Sequence, residues 1–183
     1  MRPSITPVEP PFDDDVSALL AQMTRSESRE PLLLFRTLAR NVPLATAWST
    51  LGAYNLRRGR LSVRDRELII LRTCYLAGCE YEWGVHGRVF ATQAQLTHAD
   101  VLATARPWLT GGNWTRHDEN VLAFAETLHE RAAVHADLRA ALAESWDEAQ
   151  FLEAAEVAGF YHGVAYIVAV SGVEQEGWAL RFP

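Results

Sequence analysis

The spacing of the apolar side chains is what most narrows the fold. From Asp13 onward they recur every three to four residues, in runs punctuated by helix-starting and helix-stopping residues. No stretch of useful length alternates apolar with polar as a half-buried strand does. Val16, Leu19, Leu20 and Met23 follow Asp13-Asp14-Asp15, acids that suit the partial positive charge of a helix N-terminus. Ser26 to Glu30 is a polar break, after which Pro31 can open a helix whose apolar body is Leu32 to Leu38. A third helix follows Pro43, runs to about Arg57 and stops at Gly59. Ser62 caps a segment carrying Leu68, Ile69, Leu71 and Leu76; Ala77-Gly78 interrupts it, and another helix begins at Cys79. Thr97 caps a short helix that stops before Pro107, and Gly111-Gly112 marks a turn. Thr115 or His117 starts a helix through Arg131, and His135 to Glu144 is another. Ser145 or Asp147 begins the last helix, which runs to about Val170 and ends at Gly172. The pattern predicts an all-α fold of about eight helices, with an N-terminal arm and helix over 1–30 and a helical domain over 31–183. Glu67 with Ala77-Gly78 is echoed 81 residues later by Glu148 with Ala158-Gly159, as in a duplicated helical hairpin.

Charge and composition restrict the functions open to such a chain. A net charge of −6 over 183 residues provides no basic field for a phosphate backbone, so nucleic acid is not an expected partner. All 17 basic residues are arginine, which excludes lysine Schiff-base chemistry and suits a GC-rich bacterial genome. Met1 to Pro11 has no apolar leader, and the apolar stretches read as too short to span a membrane. The two cysteines, Cys74 and Cys79, make no secreted disulfide framework. The expectation is a soluble chain in a reducing cytoplasm, with no membrane partner.

The candidate chemistry lies between Arg64 and Phe90. Cys79, Glu82 and His86 stand at i, i+3 and i+7, which stacks them on one helix face. Glu82 and His86, four apart, can meet as a carboxylate–imidazole pair. Cys79 follows Gly78 at a helix start, where free N–H groups and the helix dipole favour thiolate. Cys79 and His86 are separated by about 10 Å of helix rise, too far to share one ion easily. No metal and no cofactor are therefore expected. Tyr81 and Trp83 could wall a pocket, and His162 with Tyr161 on the last helix could approach it. Arg64, Arg72 and Arg88 are local cations for an anionic substrate. Cys74 lies about 140° around the helix from Cys79 if the helix is extrapolated without a break.

The segment from Glu67 to His86 resembles the core motif of the alkylhydroperoxidase D and carboxymuconolactone decarboxylase-like family. That motif has a glutamate, a Cys-x-x-Cys twelve residues later, and a histidine four past the second cysteine. Glu67, Cys79, Glu82 and His86 occupy those positions without a gap. Arg64-Asp65-Arg66-Glu67-Leu68 and Ala77-Gly78 also fit, and Gly159-Phe160-Tyr161-His162 is similar to the closing helix of single-domain members. The resemblance implies an alkylhydroperoxidase D-like helical bundle, assembled as a dimer, trimer or hexamer, that acts on a small molecule.

In redox-active relatives the second motif cysteine attacks peroxide, the first closes the disulfide, and the glutamate and histidine relay the proton. Here the attacking position is Glu82, which forms neither a sulfenic acid nor a disulfide, so the dithiol cycle cannot run. The favoured expectation is a peroxidase-like, antioxidant oxidoreductase with Cys79 as its single thiol, an external thiol reductant, and Glu67, Glu82 and His86 as relay. The first alternative is a cofactor-independent lyase or isomerase of the decarboxylase kind, with Glu82 and His86 as acid and base on a small carboxylated lactone. The second is a non-catalytic oligomeric helical protein.

Overall fold

The computed structural model describes residues 5–24 and 30–183, so all of the polar break but Glu30 lies outside the described residues. Among these residues there are nine α-helices and no strand. They are α1 (Asp14–Met23), α2 (Leu33–Leu38), α3 (Val42–Arg57), α4 (Val63–Leu76), α5 (Glu80–Val89), α6 (His98–Thr104), α7 (Arg116–Arg131), α8 (Ala136–Leu142) and α9 (Glu148–Ser171). Single 3-10 turns lie at Ala39–Asn41 and Pro107–Leu109.

Side-chain caps set most of these boundaries. The Ser62 hydroxyl accepts the Asp65 N–H at 3.0 Å and fixes the start of α4. Thr97 with Asp100, and Thr115 with Asp118, form reciprocal capping boxes for α6 and α7, so Thr115 rather than His117 is the cap. Asp147 and Gln150 exchange backbone-to-side-chain bonds of 2.9 Å each at the start of α9, which frees Ser145 from the capping role. The Asn41 side chain caps α3, so that helix starts at Val42 with Pro43 in its first turn.

Gly78 ends α4. Its φ of +67° is the left-handed conformation, and it places the Gly78 N–H on the Tyr75 carbonyl and the Cys79 N–H on the Cys74 carbonyl. This is a Schellman pairing. The matching Ala158-Gly159 lies inside the continuous α9, so the sequence echo is not an echo in structure.

The chain forms two compact units. The first comprises the chain up to Gly59 with Tyr166–Gly177. In it α1, α2 and α3 pack together, and Leu19, Leu20, Leu34, Leu38 and Ala45 are buried. The Ile5 N–H donates to the Ser171 carbonyl at 2.8 Å, and the Leu33 N–H to Glu176 at 2.7 Å.

The second unit comprises Arg60–Ala165 with Trp178–Pro183. Its axis is α4, on which every residue from Asp65 to Cys74 is buried, and against which α5, α6 and α7 pack. A helix buried on all sides needs no single apolar stripe, and its polar residues must find partners inside. The C-terminal tail closes over α5: the Leu180 N–H reaches the Gly84 carbonyl, and the Phe182 ring lies 5.2 Å from Trp83.

α9 has the length expected of it but is more apolar than the sequence reading allowed. By length and composition alone its 24 residues could cross a membrane. Inside the second unit, however, it buries Ala154, Val157, Ala158 and Tyr161, and its Glu153 carboxylate accepts the Arg60 N–H at 2.8 Å. These contacts place one face of α9 in the core of the second unit.

Two stability predictions follow from this frame. Gly78→Ala meets no atom within 4 Å, so its cost is the backbone conformation alone, about 1–2 kcal/mol. Urea denaturation should show that loss with an unchanged m-value. The second concerns the Asp118 carboxyl. Burial pushes its pKa up, but the forked bonds from Arg64, at 2.8 and 3.0 Å, and those from Thr115 outweigh this and hold it below the ordinary value. Stabilisation from a depressed carboxyl is fully present above the unfolded pKa of about 3.9 and is lost as pH falls through the folded one. The melting-temperature gap between the wild type and Asp118→Asn should be wide near pH 7 and narrow below about pH 3.

Candidate active site

Three helices of the second unit bring five polar side chains together. α4 supplies Glu67 and Arg66, α5 supplies Glu82 and His86, and α9 supplies Tyr161. Glu67 is fully buried. One of its oxygens lies 2.7 Å from His86 Nδ1, and the other accepts from Arg66 at 2.8 and 2.9 Å. On the far side of the imidazole, Nε2 lies 3.0 Å from the Tyr161 hydroxyl and 3.5 Å from a Glu82 oxygen. Phe90 stacks on the His86 ring at 4.8 Å, and Tyr161 meets its edge at 5.0 Å. The ring is thus fixed in plane and in tilt.

These contacts imply two protonation states. With Glu67 ionised, Nδ1 carries a proton and donates it to the carboxylate. Nε2 then accepts the Tyr161 O–H. If a second proton reaches Nε2, the imidazolium faces the Glu82 carboxylate, and the tyrosine oxygen turns from donor to acceptor. Burial pushes the Tyr161 pKa well above its ordinary value, and the negative charges of Glu82 and Glu67 push it further. The phenol therefore keeps its proton and serves as a hydrogen-bond donor. Arg66 balances Glu67, so the relay does not bury an unpaired carboxylate.

Cys79 is the N-cap residue of α5 and is buried. The Schellman turn before it overturns the expectation for Cys74. Instead of pointing 140° away, the Cys74 thiol lies near that of Cys79. Burial raises the Cys74 pKa well above the ordinary thiol value, and the neighbouring Cys79 adds to this. Helical arithmetic fails across residues 77 and 78 because the left-handed glycine reverses the chain.

The remaining predicted residues divide. Tyr81 is buried, and Trp83 is fully buried, with its indole N–H on the Thr104 hydroxyl at 2.9 Å, so Trp83 packs the core rather than walling a pocket. His162 stands against His129 on α7. Its Nε2 lies 3.1 Å from His129 Nδ1 with the rings stacked, and burial together with His129 lowers its pKa. Tyr161, one position earlier on α9, occupies the place expected of it. Arg64 is committed to Asp118 and to the carbonyls of Ala94 and Gln95. Arg72 is buried against Glu126 and the carbonyls of Thr104 and Arg106. Neither is available to a substrate anion, whereas Arg88 is exposed. Sequence reasoning missed Arg66, whose only signal was a cation next to a glutamate in an otherwise apolar helix. Among the described residues, no three His, Cys, Asp or Glu side chains converge as metal ligands.

The model of the carboxymuconolactone decarboxylase family matches residues 43–127. That segment, a little under half of the chain, is similar to the carboxymuconolactone decarboxylase family. The matched segment holds Glu67, Cys79, Glu82 and His86, while Tyr161 lies beyond it. Solved structures extend the likeness to the whole fold. A peroxidase-related protein from Silicibacter sp. TM1040 superposes with a TM-score of 0.81 at 14% identity, over 97% of this chain and 95% of its own. An alkylhydroperoxidase AhpD core, a peroxidase-related protein from Ralstonia eutropha JMP134, gives 0.81 at 18% identity over 94% and 93%. A cysteine-to-alanine variant of the debrominase Bmp8, in complex with 2,3,4-tribromopyrrole, gives 0.80 at 17% identity over 97% and 94%. At such identities the shared property is the all-α, alkylhydroperoxidase D-like fold. No curated protein matches the chain.

Removing Glu67 strands two buried partners at once. Glu67→Ala should cost about 3–5 kcal/mol, the loss typical of a broken buried ion pair. Urea denaturation at neutral pH measures it, and Glu67→Gln should lose less because its amide still bonds to one partner.

Proposed function

We propose that the protein is a cofactor-independent acid–base enzyme of the decarboxylase kind, a lyase or isomerase acting on a small carboxylated lactone. The observation that carries this reading is the surroundings of His86 Nε2, which faces the Tyr161 hydroxyl and the Glu82 carboxylate while Glu67 holds Nδ1. His86 and Glu82 move the proton, Tyr161 donates a hydrogen bond to the oxygen on which charge builds, and Glu67 and Arg66 orient the ring. A carboxylate at the position of the attacking thiol suits proton transfer and makes two-thiol peroxide chemistry impossible at that position.

A second reading keeps the oxidoreductase expectation. Cys79 reduces a peroxide as a single thiol, with an external thiol as reductant and the same relay. Its support is the place of Cys79 at the N-cap of α5, at the start of the helix that carries Glu82 and His86. The peroxidase-related fold neighbours add to it.

The two readings separate on one pair of variants. Turnover of γ-carboxymuconolactone, followed by its ultraviolet absorbance, should fall by about 100-fold or more in His86→Ala and Glu82→Gln. It should stay within about twofold of wild type in Cys79→Ser. Consumption of hydrogen peroxide with dithiothreitol, abolished by Cys79→Ser, together with no lactone turnover, would replace the first reading with the second.

A further inference from the structure

A second carboxylate of α4 heads another hydrogen-bonded chain. Asp65 stands two positions before Glu67, about 200° around the helix, and so projects from the other side of α4. Its carboxylate is buried and receives the Trp146 indole N–H at 2.8 Å. Both its oxygens lie 3.1 Å from His117 Nε2. The other ring nitrogen, Nδ1, lies 3.1 Å from the Ser145 hydroxyl. Each residue comes from a different part of the second unit: Asp65 from the first turn of α4, His117 from the first turn of α7, and Ser145 from the link between α8 and α9.

The protonation pattern follows from the donors. An ionised Asp65 holds a proton on Nε2, so Nδ1 has a free lone pair. The Ser145 O–H can donate to it, in competition with the longer contact to the Leu142 carbonyl at 3.3 Å. A nucleophile on a base, with the base oriented by a third group, is the arrangement that activates a hydroxyl. Asp147 and Gln150 cap α9 without Ser145, so this serine has no helix-starting task. Trp146 meets the edge of His117 at 6.1 Å and limits its tilt.

Ser145, His117 and Asp65 all line one open cleft of about 570 Å³. That volume falls within the range of small-molecule sites, about 300–1,000 Å³. Of the charges in its wall, Arg64 is forked onto Asp118, while the Asp65 carboxylate is held by the N–H groups of His117 and Trp146 and keeps its negative charge. The rest of the lining that matters is neutral and polar, with Gln95, Thr115 and Gln150. Such a cleft suits an uncharged polar ligand rather than an anion.

We infer that Ser145 and His117, positioned by Asp65, form a second catalytic centre that hydrolyses small uncharged carboxylic esters. Ser145 Oγ attacks the acyl carbon as its proton passes to His117 Nδ1. The ester C–O bond then breaks, and the leaving alcohol takes that proton. Water hydrolyses the acyl-serine by the same path in reverse, releasing the carboxylic acid and restoring the hydroxyl. No oxidant, metal or cofactor enters the balance.

The test uses the full chain, a fluorophosphonate ester as a probe of activated serine, and 4-nitrophenyl acetate as substrate. The expected result is one phosphonyl group per chain on the peptide carrying Ser145, with release of 4-nitrophenolate. Ser145→Ala, a change in an exposed link, should abolish both signals. His117→Gln should slow labelling by about 100-fold or more. Asp65→Asn should slow it as well, and Asp65→Glu should restore part of the rate, which a merely structural role for the carboxylate would not do. Labelling at any other residue, or full labelling and ester hydrolysis in Ser145→Ala, overturns the proposal, as does an absence of labelling in the folded wild type.

Discussion

The carboxylate of Glu67 is the constraint on which the second unit depends. A charge that far from water costs several kcal/mol unless partners surround it. Two do: Arg66 from the same helix and His86 from the next. That requirement dictates the local chain path. α4 must stop soon after Glu67 so that α5 can fold back with His86 over it. The left-handed Gly78 makes this stop within two residues. α9 then brings the Tyr161 hydroxyl to the open side of the ring, and Phe90 and the Tyr161 ring hold its plane. The site is therefore part of the core, not an addition to it, and its rigidity comes from the same contacts that stabilise the fold.

α4 turns out to carry two such chains. On one side runs Glu67, His86 and Tyr161; on the other, Asp65, His117 and Ser145. Each begins with a buried carboxylate of α4, passes through an imidazole on a neighbouring helix and ends on a hydroxyl. The differences lie in what surrounds them. The first chain has a compensating arginine, a second carboxylate and a deeply buried phenol. The second has a tryptophan N–H as its extra donor and ends at an exposed serine on an open cleft. The same three functional groups are thus set for proton transfer in one place and for nucleophilic attack in the other.

Local features of the sequence were the most legible. Ser62, Thr97 and Thr115 announce helix starts because a capping hydroxyl acts within three residues of itself. The spacing from Glu67 to His86 survives because both lie in regular helix on either side of one turn. What the sequence concealed depends on chain reversal or on distant partners. Cys74 meets Cys79 only because the turn between them cancels the expected rotation. Arg64 and Arg72 looked free for a substrate because their carboxylates stand 54 residues away. Tyr161 and His162 are adjacent, and nothing local says which faces His86. Ser145 read as a cap because Asp147, two residues on, does the same work.

The position of Trp146 has a consequence for spectroscopy. Its indole donates to Asp65, and its ring stands edge-on to both His117 and Phe124. A protonated imidazole withdraws excited-state electron density from an adjacent indole far more effectively than a neutral one. The emission of this buried tryptophan is therefore an internal gauge of the charge on His117, readable without any substrate or added label.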